Sequence, residues 1–348
     1  MIFAFLHLQN ISPSIAQSLC RIDIIGMILF IGSITGVLIP LTWGGVQYGW
    51  SSWHTLVPLI LSALGFCLFL FWEAYMATDP LIPLRILKSP TAAATYACTF
   101  FHGLVLWCML YYLPLYFEAV RSQSPIMTGI CVFPDTFSIA PAAIAVGIIV
   151  TLTGSYRWSI WAGWVLTVIG CGLMTLLTPT IPTYGWVLIN LVPGVGCGML
   201  FPGLAFAIQA ESTDADAAAA VSLFTFSRSF GQAIGVALGG VIFQNQMLRN
   251  ALSSPLTAAN ARALSADASA MAEILKTVPH GPLREQIVLS YCDALRAVWA
   301  ACAGFAFAGL VASVFIRHYS LDRALGSSQK FQEGEKRNED ETIGMVER

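Results

Sequence analysis

An all-α polytopic membrane protein is the fold class that this sequence predicts. Of its 348 residues, 57% are hydrophobic and only 10% are charged, and the mean hydropathy is +0.72. Soluble domains carry charge on roughly a quarter of their residues. This composition therefore cannot cover a water-facing surface, and it excludes the soluble, disordered and fibrous classes. The net charge of −2 leaves no basic footprint for nucleic acid. The cysteines lie mostly inside apolar stretches (Cys67, Cys98, Cys108, Cys131, Cys171, Cys197, Cys302) with no C-x-x-C pair and no zinc-ligand spacing. They read as small apolar packing residues, and no metal is expected.

A helix needs roughly 20 apolar residues to cross about 30 Å of hydrocarbon. Segments that meet this requirement follow one another along the chain, about eight in all. The first is Ile24–Thr42, ended by the turn-rich WGGVQYGW. Leu56–Tyr75 follows and closes at Glu73 and Asp79-Pro80. The third, Thr91–Phe117, precedes Glu118 and Arg121, and the fourth, Ile126–Thr151, holds Asp135 as its single charge. Trp158–Ala210 has no charge at all and is too long for one crossing; Thr178-Pro179-Thr180-Ile181-Pro182 divides it into a fifth and a sixth span. The seventh, Ala217–Gln246, contains Arg228, and the eighth is Ala297–Ile316. Only helices satisfy their own backbone inside lipid in segments of this length.

The flanking stretches complete the division. Residues 1–22 form a cytosolic lead-in whose MIFAFLHL start resembles the tail of an earlier apolar helix rather than a signal peptide, since it has no basic region and no cleavage site. Residues 23–78 hold two helices and 79–318 hold six, with a loop at about 248–293 whose Ala-rich part, Leu256 to Thr277, suits a surface helix. Residues 319–348 are polar and charged, as in a disordered tail. Arg21, Arg85, Lys88, Arg157, Arg317 and Arg323 fall on one side, against Arg121, Arg296, Arg249, Arg262, Lys276 and Arg284 on the other. This bias places both termini in the cytosol.

Ionisable groups at membrane depth mark pathways, because holding them there is costly. His102, Asp135 and Arg228 each lie roughly 15–18 Å into a helix at 1.5 Å per residue, near mid-membrane. Each has small or polar residues at helical spacing. These are Thr95, Cys98 and Thr99 for His102; Thr128, Cys131 and Ser138 for Asp135; and Gly231, Gln232, Gly235 and Gly239 for Arg228. Structural readings stand beside the functional ones: Arg228 equally suits bonding to carbonyls of a broken helix, Asp135 suits a protonated packing residue, and His102 reads first as a satisfied packing group. Gly194-Val195-Gly196-Cys197-Gly198 follows no strand, so a phosphate-binding loop is excluded. Gly194 and Gly198 instead read as close packing beside a proline-induced break near Pro193, with Asn190 a further pathway candidate one turn earlier. Gly231, Gly235 and Gly239 form a ladder for tight helix contact. No hydrolase, Walker or Ser/His/Asp pattern occurs in a fitting context, so no enzyme is expected.

Five stretches, in order, carry a family resemblance. FTFSRSFGQAIGVALGGVIFQNQ (Phe224 to Gln246) resembles the penultimate helix of fungal major facilitator superfamily transporters of the fourteen-span branch, which includes drug:proton antiporters. RIDIIG (Arg21 to Gly26) and GGVQYGWSS (Gly44 to Ser52) resemble the first linker helix and the loop after it. DPLIPLRIL (Asp79 to Leu87) and LTGSYRW (Leu152 to Trp158) resemble the lead-in to the second half and a short basic loop within it. The resemblance covers about residues 1–320. It implies two linker helices followed by a six-helix C-terminal half, with MIFAFLHL the end of the sixth span of an N-terminal half absent from this chain, as in a truncated chain. It further implies proton-coupled export of drug-like or metabolite compounds by alternating access. Arg228, Asp135, His102, Gln232 and Asn190 would line the path, and a proton gradient rather than a cofactor would supply the energy. The partners implied are the lipid bilayer, a small-molecule substrate, and either an N-terminal half or a second copy. The plasma membrane is the first expected location and the vacuolar membrane the second. The reading set against this one is a non-transporting membrane fragment, or a regulatory or interaction half.

Overall fold

The first four helices described start on short polar side chains, which satisfy amide groups that a helix start leaves open. In the structure, a computed structural model describing residues 23–45, 47–77, 86–213, 216–253, 261–265 and 268–319, Asp23 caps α1 (Ile24–Trp43) by accepting from the Gly26 amide at 2.8 Å. The same carboxylate accepts from Trp72 Nε1 at 2.9 Å, near the far end of α2 (Trp53–Tyr75). Ser52, Ser89 and Ser124 cap α2, α3 (Pro90–Leu115) and α4 (Pro125–Thr153), and prolines occupy the first turns of α3 and α4. Gly154, in the left-handed conformation at φ 66°, ends α4.

The order continues with α5 (Arg157–Met174), α6 (Thr183–Glu211), α7 (Ala217–Ser253), the short α8 (Ala261–Ser265) and α9 (Ala268–Thr277), and α10 (Pro282–Ser313). A π-turn at Tyr116–Val120 extends α3. Seven of these helices are long and apolar enough to cross a membrane by length and composition alone. The remaining expected span, the fifth, is α5, a helix of only 18 residues that opens on Arg157 and packs against α6 and α10. The lead-in 1–22, most of the DPLIPLRIL stretch and the tail from residue 320 lie outside the described residues.

Two differences from the sequence reading have simple causes. The expected break near Pro193 is absent: α6 runs unbroken through Pro193 and Pro202, each proline costing one intrahelical hydrogen bond without ending the helix. The loop expected at about 248–293 is shorter than its polarity suggested, because α7 continues to Ser253 and α10 begins at Pro282. The early turns of α10 bury Ile287, Ser290, Tyr291, Ala294 and Leu295 at helical spacing while Asp293 and Arg296 stay exposed. An amphipathic helix thus outlasts its purely apolar run.

The six long helices α3 to α7 and α10 form one bundle, in which α3 packs on α7, α6 on both α4 and α5, and α10 on α3, α5 and α7. In the most apolar stretches of α3 and α6, 67% and 61% is buried, against 11% for α4, so α3 and α6 are the inner helices. Lipid supplies no hydrophobic drive between helices, so association rests on van der Waals contact and hydrogen bonds. The α3–α7 seam shows this: side chains added at Gly231 and Gly235 would strike the carbonyls of Phe100 and Leu104, and one at Gly103 would strike that of Arg228. The two backbones therefore touch, and at Gly239 the neighbours are Tyr112 and Cys108.

Helices α1 and α2 pair as a hairpin through reciprocal small-residue contacts, Gly36 against Ser62 and Gly65 against Ser33. They turn Ile28, Ile31, Leu61 and Leu64 outward. The hairpin rests on α7, with the Phe30 ring tilted against Phe226 and edge-on to Phe230, centroids 5.1 and 5.7 Å apart. At its other end Asn245 donates to the Gly44 carbonyl at 3.1 Å.

Gly231→Val and Gly235→Val are each expected to lower stability by about 1–3 kcal/mol through overpacking. Gly147→Ala, at a helical position where a side chain meets nothing within 4 Å, should be neutral or stabilising by up to about 1 kcal/mol. Thermal unfolding in lipid nanodiscs, followed by native tryptophan fluorescence, checks the contrast.

Candidate functional site

His102 sits on α3 below a polar stripe that satisfies itself. Thr95 donates to the Thr91 carbonyl and Thr99 to the Thr95 carbonyl, each at 2.8 Å. The imidazole is fully buried, and its Nε2 lies 3.1 Å from the carbonyl oxygen of Cys197 on α6. A carbonyl only accepts, so Nε2 carries the proton. Nδ1 has no hydrogen-bond partner among the described residues. The ring stands at 90° to Phe201, with centroids 4.9 Å apart.

Arg228, on α7, uses the same Phe201. Its guanidinium carbon lies 4.0 Å from the centre of that ring and 4.4 Å from that of Phe224, one turn back on its own helix. Aromatic faces hold a cation without neutralising it. Its Nε and Nη2 are buried without a hydrogen-bond partner, so the charge stays available to something else.

Asp135, on α4, is also fully buried, and neither carboxylate oxygen has a partner. Its own carbonyl accepts from Ser138 Oγ at 2.8 Å and abuts Gly194 of α6. Gly194 fits because any side chain there would collide with that carbonyl and with Ser138. Gly198, one turn on, meets Ile139 and Ala142 in the same way.

The contacts of the three ionisable residues therefore fall at positions 194, 197 and 201 of α6. These are spaced i, i+3 and i+7, on one face and within about 10 Å along the axis. Helix α6 thus meets the backbone of Asp135, the imidazole of His102 and, through Phe201, the guanidinium of Arg228, each from a different helix. Among the described residues no ion pair joins Asp135 to Arg228. Asn190 lies on the same face one turn before Gly194, fully buried, with both amide atoms unpartnered. Gln232 follows Arg228 by one turn and is half-buried.

The clustering is what marks the site. Buried side-chain polar atoms are normally hydrogen-bonded, so each exception needs an account. Of the eleven such atoms among the described residues, eight belong to His102, Thr128, Asp135, Asn190 and Arg228; the other three are on Arg157, Trp164 and Trp299. No group of three or more His, Cys, Asp or Glu suited to a metal ion occurs among the described residues. A cleft of about 580 Å³ between the start of α10 and the loops near Ser122 and Thr178 shares no residue with the cluster.

The sequence reading missed Phe201 and Phe224, the rings that seat Arg228. Phe224 stands four residues before Arg228, a spacing open to view, but Phe201 is linked to it only by the packing of α6. Trp186, near the start of α6, is buried against Phe117, with ring centroids 5.0 Å apart.

A buried polar side chain that makes no hydrogen bond to protein loses none when an apolar one of similar size replaces it. Asn190→Leu is therefore expected to leave stability unchanged or raised. His102→Leu, which loses the bond to Cys197, should lower it by about 1–3 kcal/mol. Chemical or thermal unfolding of the two variants in nanodiscs reads the opposite signs.

Comparison with known proteins adds relatives. The chain is 46% identical over 336 residues to "MFS transporter L2" of a Phoma species, covering 97% of this chain and 56% of that protein. It is 34% identical to "Efflux pump FUS6" of Gibberella moniliformis over 89% of this chain and 56% of that one. It is 32% identical to "MFS-type efflux pump LUC4" of a Fusarium species over 91% and 57%. The chain thus spans a little over half the length of these relatives. No family model matches it. Among solved structures, that of a bacterial homologue of the human lysosomal transporter Spinster overlaps with a TM-score of 0.47 and 16% identity, covering 84% of this chain and 64% of that one.

Proposed function

The chain belongs to the major facilitator superfamily, among fungal transporters and efflux pumps, and from that premise we propose that it forms part of a small-molecule exporter driven by protons. The observation that carries the proposal is the convergence of Asp135, His102 and Arg228 on one face of α6. Charged groups inside a membrane protein face its interior or an aqueous path, and these three have polar atoms left free for a moving partner.

In this reading Asp135 takes up and releases the proton, being the carboxylate among the three. Arg228, held between Phe201 and Phe224, keeps a constant positive charge that orients an anionic group of the substrate or attracts the ionised Asp135. The charge on Asp135 then sets whether Arg228 is engaged or free, and this couples proton movement to substrate release. His102 lines the path beside Cys197, and Asn190 and Gln232 add hydrogen-bonding groups. The remaining wall of the cavity would come from six further helices or a second copy, and rocking of the two bundles would alternate access. Both termini lie in the cytosol, and the plasma membrane is the proposed site of action.

The test uses efflux of fluorescent drug-like dyes from yeast lacking its own pumps, with this chain joined to the companion helices of a relative. Asp135→Asn should remove the dependence of efflux on external pH, and Arg228→Gln should lower efflux at least roughly tenfold, about 1.4 kcal/mol. Retained pH dependence in Asp135→Asn would end the proton assignment. Dye retention in every version would favour a non-transporting membrane segment.

A further inference from the structure

The seam between α4 and α6 is unequal on its two sides of Asp135. Beyond Asp135 it is shut: Gly194 lies against the Asp135 carbonyl and Ser138, and Gly198 against Ile139 and Ala142, leaving no room even for an added methyl. Before Asp135, the buried face of α4 carries Cys131 and Thr128, one and two turns earlier. On α6 the matching positions before Gly194 are Asn190 and Trp186. Thr128 is 3% exposed and Asn190 and Asp135 are fully buried. Yet the Thr128 hydroxyl, both amide atoms of Asn190 and both carboxylate oxygens of Asp135 have no protein partner. Five unsatisfied polar atoms thus follow one another along one half of a seam whose other half is closed by backbone contact.

We propose that this half-seam holds a file of water molecules, a proton route that reaches Asp135 from the end bearing residues 121–124 and 175–182, with Thr128 and Asn190 as its positioning residues. The proposal rests on Asp135 being the proton acceptor of the exporter. Buried water typically makes about three hydrogen bonds to groups that would otherwise go unmet, and Thr128, Asn190 and Asp135 offer donors and acceptors one turn apart. A proton passes along such a file by exchange between neighbouring waters, one arriving at the carboxylate as another enters at the mouth, so no net water moves. Among the described residues, Cys197 on α6 and Cys171 on α5 lie within the electrostatic reach of Asp135, Cys131 stands one turn before it on α4, and His102 of α3 lies beyond the Cys197 carbonyl. The closed glycine contacts keep the file from running through to the opposite end, so the acceptor communicates with one side at a time.

Radiolytic hydroxyl-radical footprinting of the chain in lipid nanodiscs tests the route without any transport, because radicals born from ordered buried water oxidise the side chains beside it. Cys131 lies on the open half and Cys197 beside the closed half, and both are free thiols. Cys131 should be oxidised severalfold faster than Cys197. Thr128→Val and Asn190→Leu should slow that oxidation, while Asn190→Ser, which keeps a hydrogen-bonding group, should preserve it. Equal rates at the two cysteines, or a Cys131 rate that neither apolar variant changes, would overturn the water file. Labelled Cys131 together with pH-independent efflux would refute the acceptor role of Asp135 instead, so the two failures are distinguishable.

Discussion

Backbone-to-backbone contact through glycine is the constraint on which the rest of this bundle depends. Water squeezes apolar faces together in soluble proteins, but lipid is as apolar as the helices it surrounds, so nearness itself must supply the attraction. Gly103, Gly231 and Gly235 bring α3 and α7 to the point where each presses on carbonyls of the other, and Gly194 and Gly198 do the same for α6 against α4. Dispersion is weak for each atom pair and grows only with the number of close pairs. Glycine is the residue that allows the largest number.

That closeness also sets the chemistry. Because α6 is drawn tight against α4 and α3, its carbonyl at Cys197 comes within reach of His102, and Phe201 is placed between His102 and Arg228. Two prolines inside α6 remove intrahelical donors without ending the helix. The polar cluster is a cost that the surrounding contacts offset: an arginine between two phenyl rings and a carboxylate without a partner are stable only where the backbone around them has no alternative arrangement.

Much of this was legible in the sequence. The spans followed from length and apolarity, and the three ionisable residues stood out because nothing else charged lay at their depth. The glycine ladder of α7 announced a contact through its spacing. What the sequence hid was partnership. Nothing in the run Phe224 to Gln246 says that Gly231 meets Phe100, or that the second ring over Arg228 comes from Phe201. The prolines of α6 misled because sequence shows the missing amide but not the neighbours that keep the helix continuous. The start of α10 was missed because Pro282 to Arg296 is polar on one face only, and an average over a window cannot distinguish a mixed stripe from a loop.

The α1–α2 hairpin has a mechanical consequence. Phe30 engages α7 at one level and Asn245 seizes the turn after α1 at another, while Asp23 laces the two hairpin helices together through Trp72. Two points of attachment on one rod suppress swivelling, so hairpin and α7 tilt as a unit. A paddle of outward-facing apolar side chains is thereby fixed to the helix that carries Arg228, so whatever displaces the hairpin displaces that charge with it.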